Sequence, residues 1–168
     1  LDRARPPFRV RFRDGSRLLA DRIVIATGYE TPEQFAMVNA LTTLVGTYAL
    51  TTRPLEHEPW PQRVLLWEVG DPYFYARTTV DNRIMIGGED EPFTTAEARD
   101  ALIPAKCRVL MRKLRTLLPR VRTRAEFRWA GTFAKTEDGL PFIGEHPRWP
   151  GVAFALGYGG NGITFSVI

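Results

Sequence analysis

Gly157, Gly159 and Gly162 stand in the spacing G-x-G-x-x-G within "ALGYGGNGITFS", residues 155–166. After a strand, that spacing lets peptide N–H groups approach an anionic or planar ligand closely, and the apolar run 152–156 reads as the strand. A dinucleotide fingerprint also needs a helix, a second parallel strand and an acidic residue about 20 positions on. Only six residues follow Gly162, so the loop is expected to serve another group. Two further turns are marked by glycine: Thr27–Gly28, where the apolar run 23–26 ends and the backbone must turn sharply, and Asp138–Gly139 in "EDGLPFIG". Taken by itself, Asp138 reads as a turn residue bonding its own backbone.

A second set of residues suits an amine. Arg53 and Arg77 fall in strand-like stretches, and Tyr73, Phe74, Tyr75 and Trp129 could wall a cation between aromatic faces. Ordinary sheet packing with solvated arginine heads is the plainer alternative. Metal chemistry has little support, because the chain has one cysteine, Cys107, and two distant histidines, His57 and His146. Cys107 reads as a small buried helix residue, compatible with a reducing cytoplasm. The net charge of +4 raises nucleic-acid binding. However, Arg9, Arg11, Arg13 and Arg120, Arg122, Arg124 alternate as on a solvated sheet face, so no nucleic-acid partner is expected. No run of eighteen apolar residues predicts a membrane span.

The elements that must position these residues are short strands around one long helical stretch. Phe8, Val10 and Phe12 alternate up to the turn pair Asp14–Gly15, which predicts a hairpin. The run 23–26 reads as a buried parallel strand. "GTYALTTRPL", "QRVLLWEVG", "YFYARTTV" and "NRIMIGGED" read as strands, the last two joined antiparallel through Asp81–Asn82. Thr94 and Glu97 form a capping box. Leu102, Val109, Leu110, Leu114, Leu117 and Leu118 give a core-facing stripe; Pro104 starts or kinks the helix and Pro119 ends it. "EFRWAGTFA" and "GVAFALG" are further strands, joined by the loop 135–150. The chain has no initiating Met and reads as the middle of a longer protein.

"IVIATGYE", "YARTTVDNRIMIGGED", "WAGTFAKTEDGLPFIG" and "VAFALGYGGNGITFS" follow one another as in the FAD-dependent D-amino acid oxidase-like oxidoreductases, the group of glycine, sarcosine and gamma-glutamylputrescine oxidases, which the chain resembles over nearly its whole length. The resemblance implies an α+β fold with an antiparallel substrate-domain sheet backed by a long helix, plus partial strands of a FAD-binding α/β domain. Residues 1–44 would be a remnant of that domain, 45–149 the substrate-binding domain, and 150–168 the return to the FAD-binding domain. The family's nucleotide fingerprint, near its N-terminus, does not occur in this sequence, so the resemblance implies the C-terminal part of such an enzyme, and an N-terminal FAD-binding portion is expected to be missing from it. By resemblance, Thr27, Gly28, Asp138, Gly139, Gly157, Tyr158, Gly159, Gly160, Asn161, Gly162, Ile163 and Thr164 would face a non-covalently bound FAD, the glycine loop running under the flavin ring to a helix start near Ile163.

Three positions depart from the family. The arginine that holds the substrate carboxylate in glycine oxidases would fall at Phe133, which becomes a substrate-wall candidate. The flavin-linking cysteine of sarcosine oxidases would fall at Gly131, and their oxygen-activating lysine at Met85. The implied function is oxidation of a small amine or amino acid by hydride transfer to FAD, with no side chain acting as a covalent nucleophile. A non-catalytic flavin-binding or regulatory paralogue is the alternative, and a basic nucleic-acid-binding protein a more distant one. Strands without their parallel neighbours would expose apolar edges, so the isolated chain is expected to form a homodimer or swap segments.

Overall fold

The computed structural model describes residues 6–31, 33–70 and 72–167. The fold is α+β, and the chain divides into two compact units, residues 1–43 with 133–168, and residues 44–132. The segment 133–149, expected with the middle of the chain, groups with the first unit because it contains a strand that pairs there. Among the described residues no helix is long and apolar enough to cross a membrane, and no cluster of His, Cys, Asp or Glu could hold a metal.

The first unit begins with the expected hairpin, β1 (Phe8–Arg11) against β2 (Arg17–Ala20), in antiparallel register Phe8↔Ala20. Its turn is closed by Asp14, whose Oδ1 accepts from the Ser16 N–H at 2.8 Å, while Gly15 takes φ +87°. The run 23–26 becomes the short strand β3 (Ile23–Ile25). Only Ile25 is buried and Val24 is 66 % exposed, because β3 lies at the edge of its sheet, with one neighbouring strand. That sheet has the order β3-β10-β9, with β10 (Val152–Leu156) parallel to β3 and antiparallel to β9 (Phe142–Glu145). The strand β9 lies inside the stretch read as a loop. Phe8, Ile25, Val152 and Phe154 form the core with Phe35 and Val38, around helix α1 (Ala36–Asn39). Phe35 meets Trp149 and Phe154 edge-on, at centroid distances of 5.1 and 5.3 Å.

The second unit is built on a five-stranded sheet of order β5-β6-β7-β4-β8. Its members are β4 (Thr42–Thr52), β5 (Leu66–Glu68), β6 (Phe74–Thr78), β7 (Ile84–Pro92) and β8 (Ala125–Thr136). The stretch 62–70 yields only the three residues of β5, since a 3₁₀ turn occupies Pro61–Arg63. The β6–β7 hairpin turns where expected: Asn82 adopts φ +58°, and the Thr79 hydroxyl donates to Asp81 at 2.6 Å. Two arginine readings are corrected. Arg120, Arg122 and Arg124 lie in the irregular approach to β8, after Pro119 has broken the backbone pattern, and Arg53 falls just beyond the end of β4.

The helical stretch is two helices, α2 (Ala96–Ala101) and α3 (Ile103–Leu117), meeting at Leu102 with Pro104 in the first turn of α3. The N-cap of α2 is Thr95 rather than Thr94. Its hydroxyl accepts from the Ala98 N–H at 3.1 Å, so the box with Glu97 does not form in the expected register. Cys107, Leu110, Met111 and Leu114, spaced as one helical face, pack on Tyr48, Leu50, Phe74, Ala76, Ile84 and Ile86. Leu102 and Leu117, expected in the stripe, are 40 and 42 % exposed because they lie at the two ends of α3. Leu110 is 0 % exposed, so Leu110→Ala should cost about 2–5 kcal/mol in urea unfolding. Leu117→Ala should cost no more than about 1 kcal/mol.

Candidate functional site

In the first unit, strand direction gathers the three glycine turns. Because β3 and β10 are parallel, with Ile25 beside Phe154, the residues after each leave at the same sheet edge. Because β9 runs antiparallel, with Phe142 beside Leu156, its entry segment Asp138–Pro141 reaches that edge too. Thr27, Gly28, Asp138, Gly139 and the stretch Gly157–Thr164 are thereby brought together at the carboxyl end of the parallel pair, where open α/β sheets bind ligands.

The glycines divide into packed and open positions. Gly157 has φ +73°, and a Cβ there would stand 3.0 Å from Thr136 Cγ2. Gly28, Gly139 and Gly159 also have positive φ, yet they and Gly160 would meet nothing within 4 Å. The Gly159 N–H donates to the Ala134 carbonyl at 3.0 Å, which pins the loop to β8. Tyr158 turns back to donate its hydroxyl to the Ala155 carbonyl at 2.6 Å. After Asn161 begins the four-residue helix α4 (Gly162–Phe165), with Ile163 90 % exposed and Thr164 exposed. The Asp138 carboxylate accepts from the Leu140 N–H at 3.0 Å, which is the turn role weighed for it.

In the second unit, α3 covers one face of the sheet and the odd-numbered side chains of β6 point to the other. Tyr73, Tyr75 and Arg77 are therefore in one row, with Tyr75 opposite Gly87 and Arg77 opposite Met85. A Cβ on Gly87 would come within 2.5 Å of the Tyr75 hydroxyl, so the phenol lies flat across this glycine. Trp67, which the sequence reading passed over, stacks on Tyr73 at 5.1 Å and on Tyr75 at 6.1 Å. Its signal was cross-strand pairing, because β5 sets Trp67 directly beside Tyr75. On β8, Trp129 alternates with Arg128, which borders α3, and so shares the open face.

Charge distinguishes the members of this set. Among the described residues Arg77 has no ion-pair partner, whereas Arg53 faces Glu126 at 3.9 Å and Glu126 also binds Arg83. Arg53 thus belongs to an ion cluster rather than to the aromatic row. Phe133 lies in the continuation of β8 that groups with the first unit. The Tyr73 phenol is pushed up to about 12, first by burial and then by the negative charge of Asp90. Burial also raises Tyr75, against the opposing charge of Arg77. Both phenols are neutral hydrogen-bond donors at pH 7.

Three outcomes follow from this geometry. A folded pKa above the unfolded value means stability that is complete below pH 10 and falls as Tyr73 ionises, so unfolding should become easier between about pH 10 and 12. Absorbance of the phenolates should show one tyrosine titrating near 12 that Tyr73→Phe removes. Gly87→Ala should displace Tyr75 and cost about 1–3 kcal/mol, readable as a lower thermal midpoint, and Tyr75→Phe/Gly87→Ala should recover part of it.

Residues 3–168 match the model of the DAO family, FAD dependent oxidoreductases. Glycine oxidase of Bacillus subtilis (strain 168) is 34 % identical over 85 residues, which are 50 % of this chain and 22 % of that protein. The crystal structure of glycine oxidase from Geobacillus kaustophilus superposes with a TM-score of 0.67 at 25 % identity, covering 90 % of this chain and 40 % of that one. Glycine oxidase from Bacillus cereus ATCC 14579 shares the fold with a TM-score of 0.79 at 20 % identity, over 99 % of this chain and 44 % of its own. The chain thus spans less than half the length of these relatives. With a family match running through both the glycine edge and the aromatic sheet face, the chain belongs to the DAO family of FAD dependent oxidoreductases.

Proposed function

We propose that the complete protein oxidises a small amino acid or related amine, and that this chain supplies the flavin-facing edge and the substrate wall. The observation that carries the amino-acid reading is Arg77, a guanidinium without an ion-pair partner among the described residues, in one row with two neutral phenols on the sheet face opposite α3. A guanidinium there can hold a carboxylate through two parallel hydrogen bonds. Tyr73, Tyr75, Trp67 and Trp129 give the amino end apolar and π surface, which favours a closely held amine over a hydrated one. Phe133, where the resemblance implies an arginine, leaves Arg77 to take the carboxylate.

The glycine edge fits a flavin. Open space at the Cβ positions of Gly28, Gly139, Gly159 and Gly160 admits a large planar group against the backbone. Thr27, Asp138, Tyr158, Asn161, Gly162, Ile163 and Thr164 complete that edge, and the Gly160 N–H donates to no backbone acceptor among the described residues. When bound, FAD would take up the hydride from the substrate's α-carbon. The chain's own share is orientation: Gly157 and the Gly159–Ala134 hydrogen bond fix the loop, and Arg77 fixes the carboxylate. Met85 and Phe133 also favour a second reading, a flavin-binding protein that turns over no amine.

In the full-length protein, Arg77→Gln should raise KM for an amino acid about 10–100-fold with kcat changed less than about threefold, the loss of one charged hydrogen-bonding pair. An unchanged KM would remove Arg77 from the site. Gly160→Val should lower flavin content, and an unaltered flavin spectrum and rate would overturn the loop assignment. Anaerobic mixing with amines that leaves the flavin oxidised throughout would select the second reading.

A further inference from the structure

The cations of the second unit differ in their partners. Lys106 and Lys113 on α3 meet Glu89, Glu91 and Glu68, and Arg53, Arg63, Arg83 and Arg99 each meet a carboxylate as well. Arg108, Arg112, Arg115, Arg124 and Arg128 meet none among the described residues, and all five are exposed. These five line a single groove of 640 Å³ between α3 and β8. Arg115 continues into an adjoining hollow of 510 Å³, which Arg122 also borders.

The groove is built for negative charge. Positions 108, 112 and 115 stand at i, i+4 and i+7, one stripe of α3 about 10 Å long. Arg124 and Arg128 face that stripe across the floor. Like charges at this spacing repel, and the carboxylates of this unit pair with other cations: Glu68, Glu89 and Glu91 with Lys106 and Lys113, and Glu126 on β8 with Arg53 and Arg83. All five cations are arginine, whose planar fork binds phosphate oxygens two at a time. The floor is apolar: Cys107 and Met111 line it at 4 and 8 % exposure. Burial pushes the Cys107 thiol up, so it serves there as a hydrophobic surface and not as a nucleophile. The volume lies within the range of about 300–1,000 Å³ usual for small-molecule sites.

We propose that this groove binds a small organic polyphosphate of nucleoside di- or triphosphate chemistry, its phosphates held among the five arginines and its ring on Met111. It lies on the α3 side of the sheet, opposite the face of Tyr73 and Arg77, and is a site separate from the substrate wall. An extended acidic peptide would outrun a groove of this size, and a lipid surface would need the arginines on a convex face.

The test is calorimetric titration of ATP, inorganic tripolyphosphate and sulfate into the protein at physiological ionic strength, with saturating FAD so that no flavin site contributes. ATP should bind at least tenfold more tightly than sulfate and more tightly than tripolyphosphate. R112Q combined with R128Q should weaken ATP at least tenfold, R112K should lose less than R112Q, and R22Q, elsewhere on the surface, should change nothing. These arginines are exposed, so the variants should keep the circular dichroism spectrum and thermal midpoint of the parent. The proposal is overturned by ATP no tighter than sulfate, or by ATP binding indifferent to R112Q/R128Q. Preference of the same arginines for poly-glutamate or for phosphatidylserine vesicles over ATP would also overturn it.

Discussion

Burial of one face of the five-stranded sheet beneath α3 is the constraint on which the second unit depends. Leu110 and Leu114 sit on Tyr48, Leu50, Ile84 and Ile86, and each fully buried side chain of this size contributes about 1.5–3 kcal/mol. Once that face is covered, the pleat leaves no choice for the alternate residues. Tyr73, Tyr75 and Arg77 must emerge together on the other side. The exception is at Gly88 and Glu89, with φ +128° and +59°, next to a register shift between β4 and β7. There Glu89 turns into the protein, 6 % exposed, where Lys113 meets it at 2.8 Å and Lys106 at 3.9 Å. The irregularity converts an acidic residue of an open strand into a clamp on the helix.

A different constraint shapes the first unit. Three glycine turns spread over more than a hundred residues of chain come to one edge because β10 pairs parallel on one side and antiparallel on the other. Parallel pairing aligns strand ends, and antiparallel pairing aligns one strand's end with the next one's beginning. Local glycine geometry then decides which positions pack and which stay open.

How much of this was legible in the sequence depended on whether the signal was local. The β6–β7 hairpin announced itself through Asp81–Asn82 between alternating strands, and α3 through the spacing of Leu110 and Leu114 with Pro104 and Pro119 at its ends. The strand β9 was hidden because Pro141 directly precedes it and Gly144 interrupts it, and its existence depends on β10, which comes later in the chain. The choice of Thr95 over Thr94 as a cap turned on one backbone angle, which two adjacent threonines cannot reveal. The aromatic row was half visible: Tyr73 and Tyr75 showed as a pair, but Trp67 joins them only through strand pairing, and Arg53 left the row when β4 ended one residue before it. The arginine groove was invisible as a site, since basic residues on a helix and basic residues before a strand become one feature only when the helix lies across the sheet.

The two-sided sheet also separates what holds the unit together from what it presents. Side chains under α3 form the core, while Tyr73 and Tyr75 pack with Trp67 and Gly87 on the other face. Substitutions in that row can therefore retune which molecule is accepted while the core beneath α3 stays intact. Lineages sharing this scaffold are free to diverge in chemistry far faster than in architecture, one alternate strand position at a time.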